Sequence, residues 1–264
     1  IALWDIKGKY LKQPVFRLIG GSSNRIPCYI TAGLKSYSRE QLAEVAQEFG
    51  KKGRNHLKMQ VSYTNGPDMN EEEARVRVMR EAMGEDLMLM VDANDRFNYA
   101  QAKEMARRIE RYNIGWFESP ISMSTHMEQM PALRQSTTIP MGHSGGLPGQ
   151  RHFYRQLIES KAVDILQPNV LYVGGYTEAL KIASLAQAHN MRIVTGAGNP
   201  AHNMHFIAGI ANGWMVECHY GHVLRDQIIY RKAPHPDKGW LTLPEAPGLG
   251  LDVNEDALRE FTEP

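Results

Sequence analysis

Cysteine is nearly absent from this 264-residue chain, which has only Cys28 and Cys218. Neither belongs to a C-x-x-C pair, which excludes a disulfide framework and a cysteine-built zinc site and fits a reducing cytosol. Long apolar runs are missing too, none reaching the roughly 18 residues of a membrane span. No charge dominates: 30 Lys and Arg face 29 Asp and Glu, for a formal net charge of +1. There is therefore no global field to draw in nucleic acid or an anionic membrane. The opening Ile1–Ala2–Leu3–Trp4–Asp5 has no initiator Met and no basic-then-apolar leader. The expectation is a cytoplasmic chain that starts inside an element, with more sequence before it.

What is present suffices for a full core: 42% of residues are hydrophobic and 22% charged. Residues 1–19 carry apolar positions at a helical period, interrupted by Pro14 and stopped by Gly20–Gly21. Ile26–Thr31 reads as a first strand, and Ser38 with Gln41 forms a capping box for the helix bearing Leu42, Val45, Ala46 and Phe49. His56–Val61 is a second strand with Lys58 and Gln60 on one face. A polar loop from Ser62 to Asn70, containing Asn65–Gly66–Pro67, leads to a helix over 71–83. Its Glu71–Glu72–Glu73 start suits the helix dipole rather than a ligand set.

Further strands are expected at 87–91, 114–117, 138–141, 162–166, 192–194 and 214–216. Helices are expected at 99–112, 127–134, 151–160, 176–189 and 202–211. Gly174–Gly175 and the Gly-rich 196–198 segment read as helix-entry turns rather than a dinucleotide site. Eight strands alternating with seven helices predict an α/β fold of the TIM-barrel type over residues 1–233, with a Pro- and Gly-rich tail, 234–264, wrapping it.

Three stretches organise the site. VDAND, FESP and MGHS each end an apolar run on a metal-capable side chain: Asp92, Glu118 and His143. An Asp after a strand often caps the next helix, but Glu118 before Ser119–Pro120 caps nothing evident. If their strands are parallel neighbours, the three meet at the carboxyl end and form a divalent-metal site. Lys58, Gln60, Asn169, Ala197 and Glu217 should ring the same mouth. Lys58 is a base candidate or the ion-pair partner of a strand-end carboxylate. His202 is placed to reach the mouth, while His205 should pack away from it.

These residues resemble the mandelate racemase/muconate lactonizing enzyme branch of the enolase superfamily. The matching stretches are ALWDIKGKYLKQPVFRLIGG (2–21), LMLMVDAN (87–94), WFESP (116–120), VDILQPNVLYVGG (163–175) and PEAPGLGLDV (244–253). Within that branch the chain is most similar to sugar-acid dehydratases, the L-rhamnonate dehydratase group in particular. The resemblance implies a (β/α)7β barrel whose α+β capping domain comes largely from N-terminal sequence that this chain lacks. It also implies Mg²⁺ (or Mn²⁺) held by three strand-end carboxylates, a small sugar-acid carboxylate as substrate, and a homo-oligomer. The implied reaction is a hydro-lyase one, in which an α-proton is removed, an enediolate forms and a β-hydroxyl leaves.

Asp92 and Glu118 match the first two ligand positions, and Glu217 matches an acidic residue of the eighth strand. The departures are His143 in place of the third acidic or amide ligand, Asn169 in place of an Asp, and Gln60 in place of a second lysine. Thr195–Gly196–Ala197–Gly198 stands where a strand-seven histidine is usual, with His202 as the nearest substitute. Lys58, His202, Glu217 and Asn169 are thus the candidate catalytic residues, and Asp92, Glu118 and His143 the candidate metal ligands. The alternatives are a catalytically silent member that binds a ligand, and a racemase or cycloisomerase sharing the intermediate.

Overall fold

A computed structural model describes residues 1–62, 68–144 and 151–262. The expected Asn65–Gly66–Pro67 turn lies outside these described residues. Eight strands run parallel: β1 (Arg25–Gly33), β2 (His56–Gln60), β3 (Leu89–Asp92), β4 (Ile114–Glu118), β5 (Met141–His143), β6 (Ile165–Leu166), β7 (Arg192–Val194) and β8 (Gly213–His219). Each pairs with the next, and β1 pairs with both β2 and β8, so the sheet closes into a barrel. A ninth strand, β9 (Trp240–Thr242), adds antiparallel to the start of β1.

The helices are α1 (Ala2–Tyr10), α2 (Val15–Leu18), α3 (Arg39–Val45), α4 (Met69–Met83), α5 (Tyr99–Ile109), α6 (Met123–His126), α7 (Met130–Gln135), α8 (Arg151–Glu159), α9 (Tyr176–Ala188), α10 (Pro200–Gly209), α11 (Tyr220–Ile229) and α12 (Glu255–Phe261). The Ser38 capping box forms as expected: Ser38 Oγ accepts from Gln41 N–H while Gln41 Oε1 accepts from Ser38 N–H. The α3 helix passes into a π-helical turn over Ala46–Lys52. Asp68 caps α4, accepting from the N–H groups of Asn70 and Glu71. Of the acidic start of α4, Glu71 pairs with Arg39 and Glu73 with Arg108 and Arg111. Both serve the helix layer.

Several boundaries differ from the sequence expectation. The fifth strand starts at Met141 rather than Thr138, because Thr137 and Thr138 are drawn to the Glu110 carboxylate and Pro140 offers no N–H. The sixth strand shrinks to two residues, and the helix expected at 127–134 divides into a 3₁₀ turn and α7, with α6 just before them. The eighth strand extends to His219, three residues past Val216. The α11 helix after it has no counterpart in the sequence reading. No helix among the described residues is long and apolar enough to cross a membrane.

Two apolar layers hold the barrel. The larger lies between strands and helices and includes Phe16, Leu57, Val91, Phe117 and Leu166. The smaller fills the barrel itself with Tyr29, Met90, Trp116, Ile165, Val194 and Met215. That second set fixes which side chains of each strand face inward.

Candidate active site at the barrel mouth

Moving two residues toward the carboxyl end from the interior set gives Thr31, Asp92, Glu118, Gln167 and Glu217. Strand alternation therefore aims these side chains at one mouth. Lys58 joins them because it pairs in register with Met90, and Gln60 pairs with Asp92. Asp92 and Glu118 stand directly opposite each other across β3 and β4.

Lys58 is the hub. Its Nζ lies 2.6 Å from Glu118 Oε2, 2.8 Å from Glu217 Oε1 and 3.6 Å from Asp92 Oδ2. All four residues are buried. Each carboxylate is also fixed by a second set of bonds. Glu118 Oε2 accepts from Gln167 Nε2 at 2.7 Å. Glu217 Oε1 accepts from Thr31 Oγ1 at 2.5 Å, and Oε2 from Gly198 N–H at 2.9 Å. Asp92 accepts from the backbone and side-chain nitrogens of Asn94, so it closes the local turn as well as facing the mouth.

The electrostatics follow from three carboxylates around one ammonium in a dry setting. Burial and the neighbouring Glu118 push the Asp92 carboxyl up to about 8, against the opposing pull of Lys58. Burial alone would lower the Lys58 pKa, but Glu118 and Glu217 override it and hold the group well above the ordinary lysine value. Burial opposes ionisation of Glu217 too, yet Lys58 and the hydroxyl and N–H donors keep it below the usual carboxylate range.

His143 is not brought to this cluster. Glu118 pairs with Gly142, and Gly142 with Ile165, so Gly142 takes the inward position on β5. His143 pairs with Leu166 and has the opposite parity. Its ring lies 5.9 Å from Phe153 of α8, and its Nε2 is 3.4 Å from Asp95 Oδ1 on the rim. Among the described residues no group of three His, Cys, Asp or Glu side chains is set to hold a metal ion. What does fit a divalent cation is the donor chemistry: Asp92 and Glu118 are hard oxygen donors, and three carboxylates exceed the charge that one lysine neutralises.

The other expected residues divide clearly. Asn169 is buried and its amide is spent on backbone, donating to the carbonyls of Gly196 and Gly198 and accepting from Leu171 N–H. It ties the end of β6 to the loop after β7. Gln60 Oε1 accepts from Lys35 N–H at 3.3 Å. Burial holds the His202 imidazole below the usual value, with Asp226 pulling it back up and Arg225 and the chain start adding to the depression. His205 is fully buried against the tail, with Nε2 3.0 Å from the Leu249 carbonyl.

Sequence reading missed Gln167 and Thr31. The signal was available for both, since each lies two residues beyond an inward apolar position on its strand.

Residues 41–257 match the family described as enolase C-terminal domain-like. This chain belongs to that family. Its relatives are of the mandelate racemase/muconate lactonizing enzyme branch. The chain is 31% identical to the arabinonate dehydratase of Saccharolobus solfataricus over 98% of its own length and 70% of the relative's. It superposes on the 3,6-anhydro-D-galactonate cycloisomerase of Zobellia galactanivorans with a TM-score of 0.89 at 34% identity, covering 100% of this chain and 74% of that one. The L-talarate dehydratase of Polaromonas, solved with Mg and L-glucarate, gives a TM-score of 0.88 at 28% identity, covering 99% and 71%. The closed parallel barrel is thus the family's own.

Proposed function

We propose that this chain carries the catalytic barrel of a Mg²⁺-dependent sugar-acid dehydratase, a hydro-lyase acting through an enediolate. The observation that carries the reading is the buried set of Asp92, Glu118 and Glu217 around Lys58 at the barrel mouth. The relatives named as dehydratases, and the talarate dehydratase solved with magnesium, support the reaction class and the metal.

In this reading Asp92 and Glu118 would hold the cation, and His143 would contribute only from the rim. When bound, Mg²⁺ supplies positive charge that clamps a substrate carboxylate and steadies the enediolate. The chain's own residues do the rest. Gln167 holds the Glu118 carboxylate in place, and Thr31 with the Gly198 N–H holds Glu217 at a fixed angle to the mouth. Glu217, held ionised, accepts hydrogen bonds from the substrate's hydroxyl groups. Lys58 places an ammonium among the acids, where charge develops next to an α-carbon.

A second reading is favoured by one observation, the 34% identity to a cycloisomerase. A cycloisomerase would use the same proton abstraction without losing water. Incubating the complete protein and Mg²⁺ with a panel of sugar acids that includes L-rhamnonate and arabinonate separates the two. Formation of a 2-keto-3-deoxy acid supports the dehydratase, and an isomer of unchanged mass supports the cycloisomerase. No turnover of any member would refute both.

A further inference from the structure

The eighth strand carries one more inward side chain that the mechanism above does not use. Met215, Glu217 and His219 share one parity on β8. Register places His219 beside Thr31, and Thr31 beside Lys58 on its other flank. Imidazole, hydroxyl and ammonium therefore form a row across β8, β1 and β2. The half-buried ring is close enough to feel the charges of both Glu217 and Lys58.

The packing around this ring explains the missing side chain on the neighbouring loop. Residues 196–198 offer nothing larger than a methyl group. Gly198 has φ +66°, and the Cβ it lacks would fall 2.8 Å from His219 Cβ and 2.4 Å from His222 Nδ1. The two imidazoles, 4.9 Å apart, occupy the room that a side chain there would need. His222 Nδ1 accepts from Asn199 N–H at 3.2 Å and so is tied to the loop. His219 Nδ1 is buried with no hydrogen-bond partner among the described residues. That leaves Nε2 as the nitrogen through which the ring can meet a substrate.

We propose that His219 is the acid–base residue of this site, taking the α-proton of a bound hydroxy acid and returning it to the departing β-hydroxyl. The inference rests on the enediolate reading above. The neutral imidazole accepts the proton, and the C–H electron pair becomes the enediolate double bond. The carboxylate then re-forms and the enediolate pair moves to make the Cα–Cβ double bond as the C–O pair leaves with the β-oxygen, which takes the proton back from the imidazolium and departs as water. The ring ends as it began. Burial lowers the imidazole pKa and so favours the neutral form. Neither rival is as well placed: His202 answers to Asp226, and Lys58 Nζ is spent on Glu118 and Glu217.

The test uses the complete protein with Mg²⁺ and the sugar acid it turns over. In His219→Gln, kcat falls about 100-fold or more while KM stays within about threefold, and deuterium no longer enters the α-position. Added imidazole restores turnover to His219→Gly in a saturable way, which a merely structural role would not allow. A His219→Gln enzyme that folds with the wild-type Tm and keeps its kcat would overturn the proposal, as would a His219→Gly deficit that imidazole leaves untouched. If the wild type turns over no sugar acid, the reading under Proposed function fails, and NMR of the wild-type imidazoles judges His219 separately. Tartronate with Mg²⁺ must then shift the ring signals that vanish in His219→Gln, and unshifted signals would overturn the assignment.

Discussion

Glu118 shows how much one atom carries. Its Oε2 receives both the Lys58 ammonium and the Gln167 amide. Glu118→Gln preserves shape but removes the charge, so we expect activity to drop at least ~100-fold. Losing one partner of a buried ion pair costs about 3–5 kcal/mol when nothing replaces it. Here Glu217 still pairs with Lys58, so urea denaturation should show a loss at or below the lower end of that range.

Gly142 guards the same contact. A Cβ there would fall 2.4 Å from Gln167 Oε1, so Gly142→Ala should displace Gln167 and lower kcat about tenfold with a smaller effect on KM.

His205 makes a pH prediction. Burial pushes its imidazole down to about 4 from 6.5, and Nδ1 has no hydrogen-bond partner among the described residues. The unfolded chain then binds a proton that the folded chain refuses. The contribution is intact above pH 6.5 and is lost as pH falls from 6.5 toward 4, by about 3 kcal/mol in all. His205→Phe should flatten that part of the pH–stability curve measured by urea titration.

At this scale Asp92, Glu118, Glu217 and Lys58 were legible because each is a charged residue in an otherwise apolar run. For His143 spacing and register point different ways, because spacing counts residues whereas alternation decides direction. Gly142 holds the inward position, and glycine gives no sign of facing anywhere.

Among the elements, one side chain of α4 ties that helix to the loops that lead into β3 and β4. Arg80 donates to the carbonyls of Gly84, Leu87, Tyr112 and Asn113 at 2.7–3.0 Å. Arg80→Met keeps much of the apolar stem but strands these acceptors, and should cost about 3 kcal/mol in chemical denaturation. The sequence located α4 by its period and its Gly84 stop, which adopts φ +82°. It could not locate Arg80's role, because backbone carbonyls carry no residue signature.

Strand limits depend on contacts that composition does not show. Thr138 looks like strand by composition, yet its hydroxyl and N–H answer to Glu110 from a helix distant in sequence. The eighth strand outran its apolar run, since Glu217, Cys218 and His219 extend it with mixed side chains. That extension is what delivers His219 to the mouth.

For the whole molecule, the alternation of eight strand patterns with helical ones was sufficient to predict the barrel, because parallel neighbours require crossover helices. Closure itself is a long-range fact: β1 meets both β2 and β8, and no local pattern encodes it. The barrel gathers three carboxylates from β3, β4 and β8 around one lysine from β2. A divalent cation that binds only the folded barrel must stabilise it by mass action, by about 2.7 kcal/mol at a hundred times Kd. Mg²⁺ should raise Tm in the wild type and leave Asp92→Asn unchanged.

The most direct test of enediolate chemistry follows the α-hydrogen itself. In D₂O with Mg²⁺, NMR of a sugar-acid panel should show at least one substrate losing its α-proton, with deuterium entering the recovered acid or water leaving it. Asp92→Asn should abolish the change. An unaltered α-proton in every member, with Mg²⁺ saturating, would contradict the account.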